Sequence, residues 1–200
     1  MITAVQNLLA SLALSFDLPI LDWIQANLQS PVMDTIMPII TKFGDGGVFW
    51  IAVAVILLFL PKTRKWGWSM LVALMLGLIV CNITLKPMIA RIRPYDLHAD
   101  LFGDTITLLV KTPHDWSFPS GHTIACFEAC TALMIRSRKA GIPAAILAVL
   151  VSFSRLYLYV HYPTDVIFSV FAGILFGILG CVIVNAVYIR FPEKKGKYEQ

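Results

Sequence analysis

The chain has 200 residues, 58% of them hydrophobic and only 14% charged, with a mean hydropathy of +0.77. Soluble domains carry about 25% charged residues, so this composition excludes an ordinary soluble protein and indicates one compact membrane-embedded domain over 1–200. The net charge of +4 is modest, and the basic residues sit in short segments between apolar stretches. That distribution reports membrane topology and argues against nucleic-acid binding.

Met1 to Phe16 is apolar and the first basic residue is Lys42. A cleavable signal peptide needs a basic start, so the segment reads as retained. Asp17-Leu18-Pro19 has the form of a helix start, with Asp17 as cap and Pro19 in the first turn. Leu21, Ile24 and Leu28 then share a face, which predicts a short interfacial helix with Trp23 at headgroup level. Ser30-Pro31 is a second start signal, opening 32–43, and Gly44-Asp45-Gly46-Gly47 breaks it.

Five stronger apolar segments follow, at 46–61, 66–85, 119–135, 140–154 and 166–189. A bilayer core takes about 20 helical residues. With a contribution from the N-terminal region, the expectation is an all-α polytopic bundle of about six transmembrane helices plus the short interfacial helix. Lys62, Arg64 and Lys65, then Arg136, Arg138 and Lys139, then Arg190, Lys194, Lys195 and Lys197 fall at alternate connections. Alternating spans put all three clusters on one side, which the positive-inside rule makes cytoplasmic. The loop 94–118 and the segment 155–165 then face outward. Cys81, Cys126, Cys130 and Cys181 lie inside apolar stretches and read as packing residues rather than metal ligands.

Three polar strings stand at the ends of these stretches, where cations and histidines are costly and are functional candidates. Lys86, Arg93 and Arg155 supply positive charge suited to phosphate, Arg as a planar fork and Lys as a point charge. Pro119-Ser120-Gly121-His122 opens an apolar stretch, so its backbone N–H groups form an anion site at a helix start. Ser120 adds a hydroxyl and Gly121 permits close approach. His161 and Asp165, spaced i, i+4, are expected on one helical face, with the carboxylate fixing the imidazole tautomer. Together they form a kit for phosphate-ester cleavage. His161 attacks phosphorus, His122 protonates the leaving oxygen and then activates water, and three cations neutralise charge without a metal.

Other polar residues carry less. Asp96, His98, Asp100, Asp104, His114 and Asp115 are too irregularly spaced for a metal site and read as a solvated loop. Glu128 lies one heptad after Gly121 and reads as structural. Asn82, one turn before Lys86, is placed to orient it. Trp116, Phe118, Tyr157, Tyr159 and Tyr162 read as interfacial belt anchors.

The strings Lys86…Arg93-Pro94, Pro119-Ser120-Gly121-His122 and Ser154-Arg155…His161…Asp165 resemble the three signatures of the type 2 phosphatidic acid phosphatase superfamily, which also includes vanadium-dependent haloperoxidases. The resemblance spans 86–165. It implies a six-span helical core, a phosphohistidine on His161, no cofactor, and phosphate held by Lys86, Arg93, Ser120, Gly121 and Arg155. The small size and outward site look like the bacterial branch that dephosphorylates undecaprenyl diphosphate at the outer face of the cytoplasmic membrane. The expected partners are a lipid phosphate substrate and membrane lipids, and the sequence carries no signal for an oligomeric state. Competing readings are a phosphatidylglycerol phosphate or phosphatidate phosphatase, a lipid phosphotransferase, and a non-enzymatic anion or lipid transporter.

Overall fold

The computed structural model describes residues 2–191, and every regular element among them is helical. Eight helices appear in chain order: α1 (Ile2–Leu28), α2 (Pro31–Thr41), α3 (Val48–Phe59), α4 (64–89), α5 (Pro94–Phe102), α6 (Gly121–Arg136), α7 (Arg138–Tyr157) and α8 (Pro163–Arg190). Five helical segments are long and apolar enough to cross a membrane: Ile2–Leu28, Pro31–Phe59, Arg64–Phe102, Arg138–Tyr157 and Pro163–Arg190. The five strong segments expected from sequence correspond to α3, α4, α6, α7 and α8; α6, with 16 residues, is shorter than the five crossing segments, and the count of six spans is not confirmed.

The core is α6, which packs on α4, α7 and α8. Small residues make this close packing possible, as in membrane helix pairs generally. Gly173 and Gly177 on α8 face α6: a Cβ at Gly173 would stand 2.9 Å from Ile124 O, and one at Gly177 2.9 Å from Glu128 O. Gly180 meets α4, where a Cβ would lie 2.6 Å from Ser69 O. The basic clusters gather at one end of the bundle, as alternation predicts. Arg136 donates to Ser69 Oγ and Asn185 Oδ1, and Lys65 stands 4.5 Å over the Tyr188 ring. Lys194, Lys195 and Lys197 lie outside the described residues.

The N-terminal region departs from expectation. Asp17 does not cap a helix start; it has helical backbone angles and no capping bond, and α1 runs through it. Pro19 is accommodated by a π-wound turn at Ala13–Asp17, and Pro87 in α4 follows a second one at Leu78–Leu85. A wider turn before each proline absorbs the missing N–H. Asp17 instead reaches the opposite end from the basic clusters, where it meets Arg91 and Thr164. There α1 lies against the site: Gln6 donates to Ile89 O, Leu9 packs on Ile89 and Phe118, and Gln25 donates to Tyr157 O. The Ser30 cap is present, accepting from Met33 N at 3.3 Å with Pro31 in the first turn.

Two further corrections concern this end. Tyr157, Tyr159 and Tyr162 are not belt anchors but fully buried, with Tyr157 donating to Asp34, Tyr159 to Asp22, and the Tyr162 ring stacked on Arg91. Phe118 is buried too, and Trp116 alone of the five is well exposed. The loop 94–118 contains α5, whose end is closed by His98 and Asp104 at 3.3 Å.

Candidate active site

Lys86 stands in the last turn of α4, which Ala90 ends in a left-handed conformation, its N–H returning to Lys86 O at 3.0 Å. A left-handed alanine is strained. It turns the chain so that Arg91 and Arg93 both point inward, 8% and 3% exposed. They do different work. Arg93 bonds Val160 O at 2.5 Å and brings Nη1 within 3.4 Å of His161 Nε2. Arg91 is the counter-ion of two fully buried carboxylates, Asp165 at 2.5 Å and Asp17 at 2.7 Å.

His161 is not on a helical face with Asp165. It precedes α8, and the extended residue Tyr162 bends the chain so that Asp165, in the first turn, accepts the Tyr162 N–H at 3.1 Å. The two side chains still meet: His161 Nδ1 is 3.5 Å from Asp165 Oδ2. Such contacts are often long in unliganded enzymes. Ser117 Oγ donates to the same carboxylate at 2.5 Å. Asp165 thus accepts from Arg91, Ser117 and Tyr162 and is held rigidly behind the imidazole. With Nδ1 facing Asp165, Nε2 faces the cations. Burial first, then the charges of Arg93, Arg155 and Lys86, hold the His161 imidazole neutral, well below its ordinary range.

A cavity of about 990 Å³ brings together Lys86, Arg93, Gly121, His122, Arg155 and His161. Arg155, at the end of α7, donates to Thr41 Oγ1 at 2.6 Å, while its buried Nε has no partner among the described residues. An unsatisfied buried donor beside two other cations is an arrangement that an anion would complete. Gly121 N–H opens α6 on the cavity wall, and a Cβ there would press to 2.9 Å from Asn82 Oδ1. Asn82 is therefore set against Gly121, and no hydrogen bond joins it to Lys86 among the described residues. Ser120 lies behind the wall, fully buried, its N–H donating to Ser169 and its Oγ accepting from Thr123. The structure thus places six of the eight predicted residues on one cavity surface and the other two, Asp165 and Ser120, behind it, with the Ser120 hydroxyl inside a packing network.

Three further residues, outside the predicted set, shape the site. Asp115, read as solvated, accepts from Lys86 and Arg93 and gathers them on one side of the cavity. Partial burial disfavours its charge, but the hydrogen bonds and charges of Lys86 and Arg93 outweigh this and hold the carboxyl well below the usual range. Arg91, two residues before Arg93, is no part of the predicted set yet pairs with Asp17 and Asp165. Asp45, in the glycine-rich break, accepts from His122 Nε2 at 2.7 Å. Glu128 ends the cavity on its inner side, 1% exposed, with Oε1 unpartnered among the described residues.

The fold and this site define a class: a helical membrane bundle with a buried His–Asp pair facing a cavity lined with cations. The PAP2 superfamily profile matches residues 66–189, and the chain belongs to that superfamily. It is 34% identical over 150 residues to an undecaprenyl-diphosphatase of Sulfolobus acidocaldarius, covering 74% of this chain and 68% of that protein. Undecaprenyl-diphosphatase BcrC of Bacillus subtilis is 30% identical over 155 residues, covering 76% and 75%. The crystal structure of a transmembrane PAP2-type phosphatidylglycerolphosphate phosphatase from Bacillus subtilis superposes with a TM-score of 0.60 at 26% identity, covering 96% of this chain and 90% of that one. The apolar helices and these relatives make the protein a multi-pass membrane protein.

Proposed function

We propose that the protein removes the terminal phosphate of undecaprenyl diphosphate through a phosphohistidine on His161. The observation that carries this is the placement of neutral His161, backed by Asp165, across one cavity from His122 and among Lys86, Arg93 and Arg155. The lipid phosphatase class rests on the family and on relatives named for that activity.

His161 Nε2 attacks the terminal phosphorus and the bridging P–O bond breaks. His122 gives a proton to the departing undecaprenyl phosphate oxygen. Water then attacks the phosphohistidine, His122 takes its proton, and inorganic phosphate leaves. Lys86, Arg93, Arg155 and the Gly121 N–H neutralise charge on the phosphoryl oxygens, so the scheme calls for no metal. One domain suffices for every step.

The cavity also suits a lipid. Below the cations its wall turns apolar, through Ile51, Leu74, Leu78 and Ile124. Ile51 and Leu78 on this wall are exposed, which supports entry of an isoprenoid chain from the side. The positive-inside pattern supports a site on the outer face of the cytoplasmic membrane.

The test is phosphate release by purified protein in detergent with EDTA, from undecaprenyl diphosphate, phosphatidylglycerol phosphate and phosphatidate. Release fastest from undecaprenyl diphosphate and unaffected by EDTA is expected. Preference for another lipid would reassign the substrate. Phosphate appearing only when an acceptor lipid is added would indicate a transferase.

A further inference from the structure

We infer that Asp45 is the positioning residue for His122, fixing the ring and supporting its protonated form. This rests on the reading of His122 as the acid–base group. The loop carrying Asp45 is built around the contact. Gly46 and Gly47 have φ of 56° and 67°, a left-handed pair that side chains resist. Gly44 lies so near the ring that a Cβ would come to 2.9 Å from His122 Cδ2. The three glycines let the backbone run along the Cδ2–Nε2 edge and deliver Asp45 Oδ1 to Nε2 at 2.7 Å. His122 Nδ1 has no hydrogen-bond partner among the described residues and is the nitrogen left for substrate.

The chemistry needs this support. His122 must carry a second proton when the leaving oxygen departs, yet burial first, and then the charges of Arg155 and Lys86, oppose that charge. Among the described residues Asp45 is the one carboxylate in contact with it, with Lys42 and Arg155 the cations acting on Asp45. In the first step the Nδ1 proton passes to the leaving oxygen while the Nε2 proton stays on the bond to Asp45. In the second, neutral Nδ1 takes a proton from water. A carboxylate on the far nitrogen keeps the tautomer correct for both. Asp45 touches no reacting atom in this scheme.

The experiment compares kcat, KM and pH profile for undecaprenyl diphosphate hydrolysis by wild type, Asp45→Asn, Asp45→Glu, His122→Ala and Asp45→Asn/His122→Ala, with thermal melts on each. Asp45→Asn keeps the side chain's size on an exposed loop, so it is expected to fold. Its kcat should fall about 10²-fold with KM little changed, and the limb that requires protonated His122 should move to lower pH. Asp45→Glu should recover part of kcat. In the His122→Ala background, Asp45→Asn should have no further effect. Wild-type kcat and pH profile in Asp45→Asn, with His122→Ala inactive, would overturn the inference while leaving the phosphatase reading intact. An additive loss in the double variant would also overturn it. Near-normal His122→Ala would instead remove the underlying reading of His122.

Discussion

At the scale of single residues, two charge states govern the site. His161 is held neutral below its ordinary range, so the nucleophile is available at and below neutral pH. The rate limb set by its protonation is therefore expected below pH 6.5, and a kcat/KM profile with that limb above pH 7 would contradict the geometry. Asp115 is held ionised by Lys86 and Arg93. A carboxyl depressed in the folded state lends stability that is present above its unfolded value and lost as pH falls through its folded one. Asp115→Asn should lower Tm at pH 7, and the difference from wild type should close once the pH drops below the ordinary carboxylate range. A Tm difference unchanged between neutral and strongly acid pH would show that Asp115 acts through something other than its charge.

At the scale of elements, the site depends on junctions. Arg91 ties α1 to the start of α8 through Asp17 and Asp165, both fully buried. Removing one member of a buried ion pair costs about 3–5 kcal/mol because the charge left behind is uncompensated. Arg91→Ala strands two such charges, so it should lose folded yield or drop Tm sharply, and Arg91→Lys should recover only part because one ammonium cannot match the fork. Gly177→Leu tests the bundle itself. Its side chain would drive into Thr131 and Glu128 O on α6, and overpacking of this kind costs about 1–3 kcal/mol, read as a fall in Tm. The strings around Lys86, Gly121 and His161 were legible in sequence because phosphate chemistry demands those residue types side by side. Asp45, Arg91 and Asp115 were not, because their partners lie 77, 74 and 29 residues away. The α1 boundary failed for a related reason: Asp17-Leu18-Pro19 has local cap chemistry, but a buried arginine claimed the carboxylate and a π turn absorbed the proline. The tyrosines misled similarly, since a phenol suits an interface and a buried carboxylate partner equally well.

At the scale of the whole molecule, the site and the basic clusters occupy opposite ends of the bundle. If the basic end is cytoplasmic, a membrane-impermeant maleimide should label Asp104→Cys in intact cells and Lys62→Cys only after lysis; the reverse pattern would turn the site inward. The four native cysteines are all buried, which keeps the background low. The central claim is that phosphate passes through His161. The most direct measurement is a rapid-quench single turnover with undecaprenyl diphosphate labelled in its terminal phosphate, followed by peptide mapping under alkaline conditions that preserve phosphohistidine. Transient label is expected on His161 and absent from His161→Ala, which should release no phosphate. Turnover by His161→Ala, or label on another residue, would contradict it.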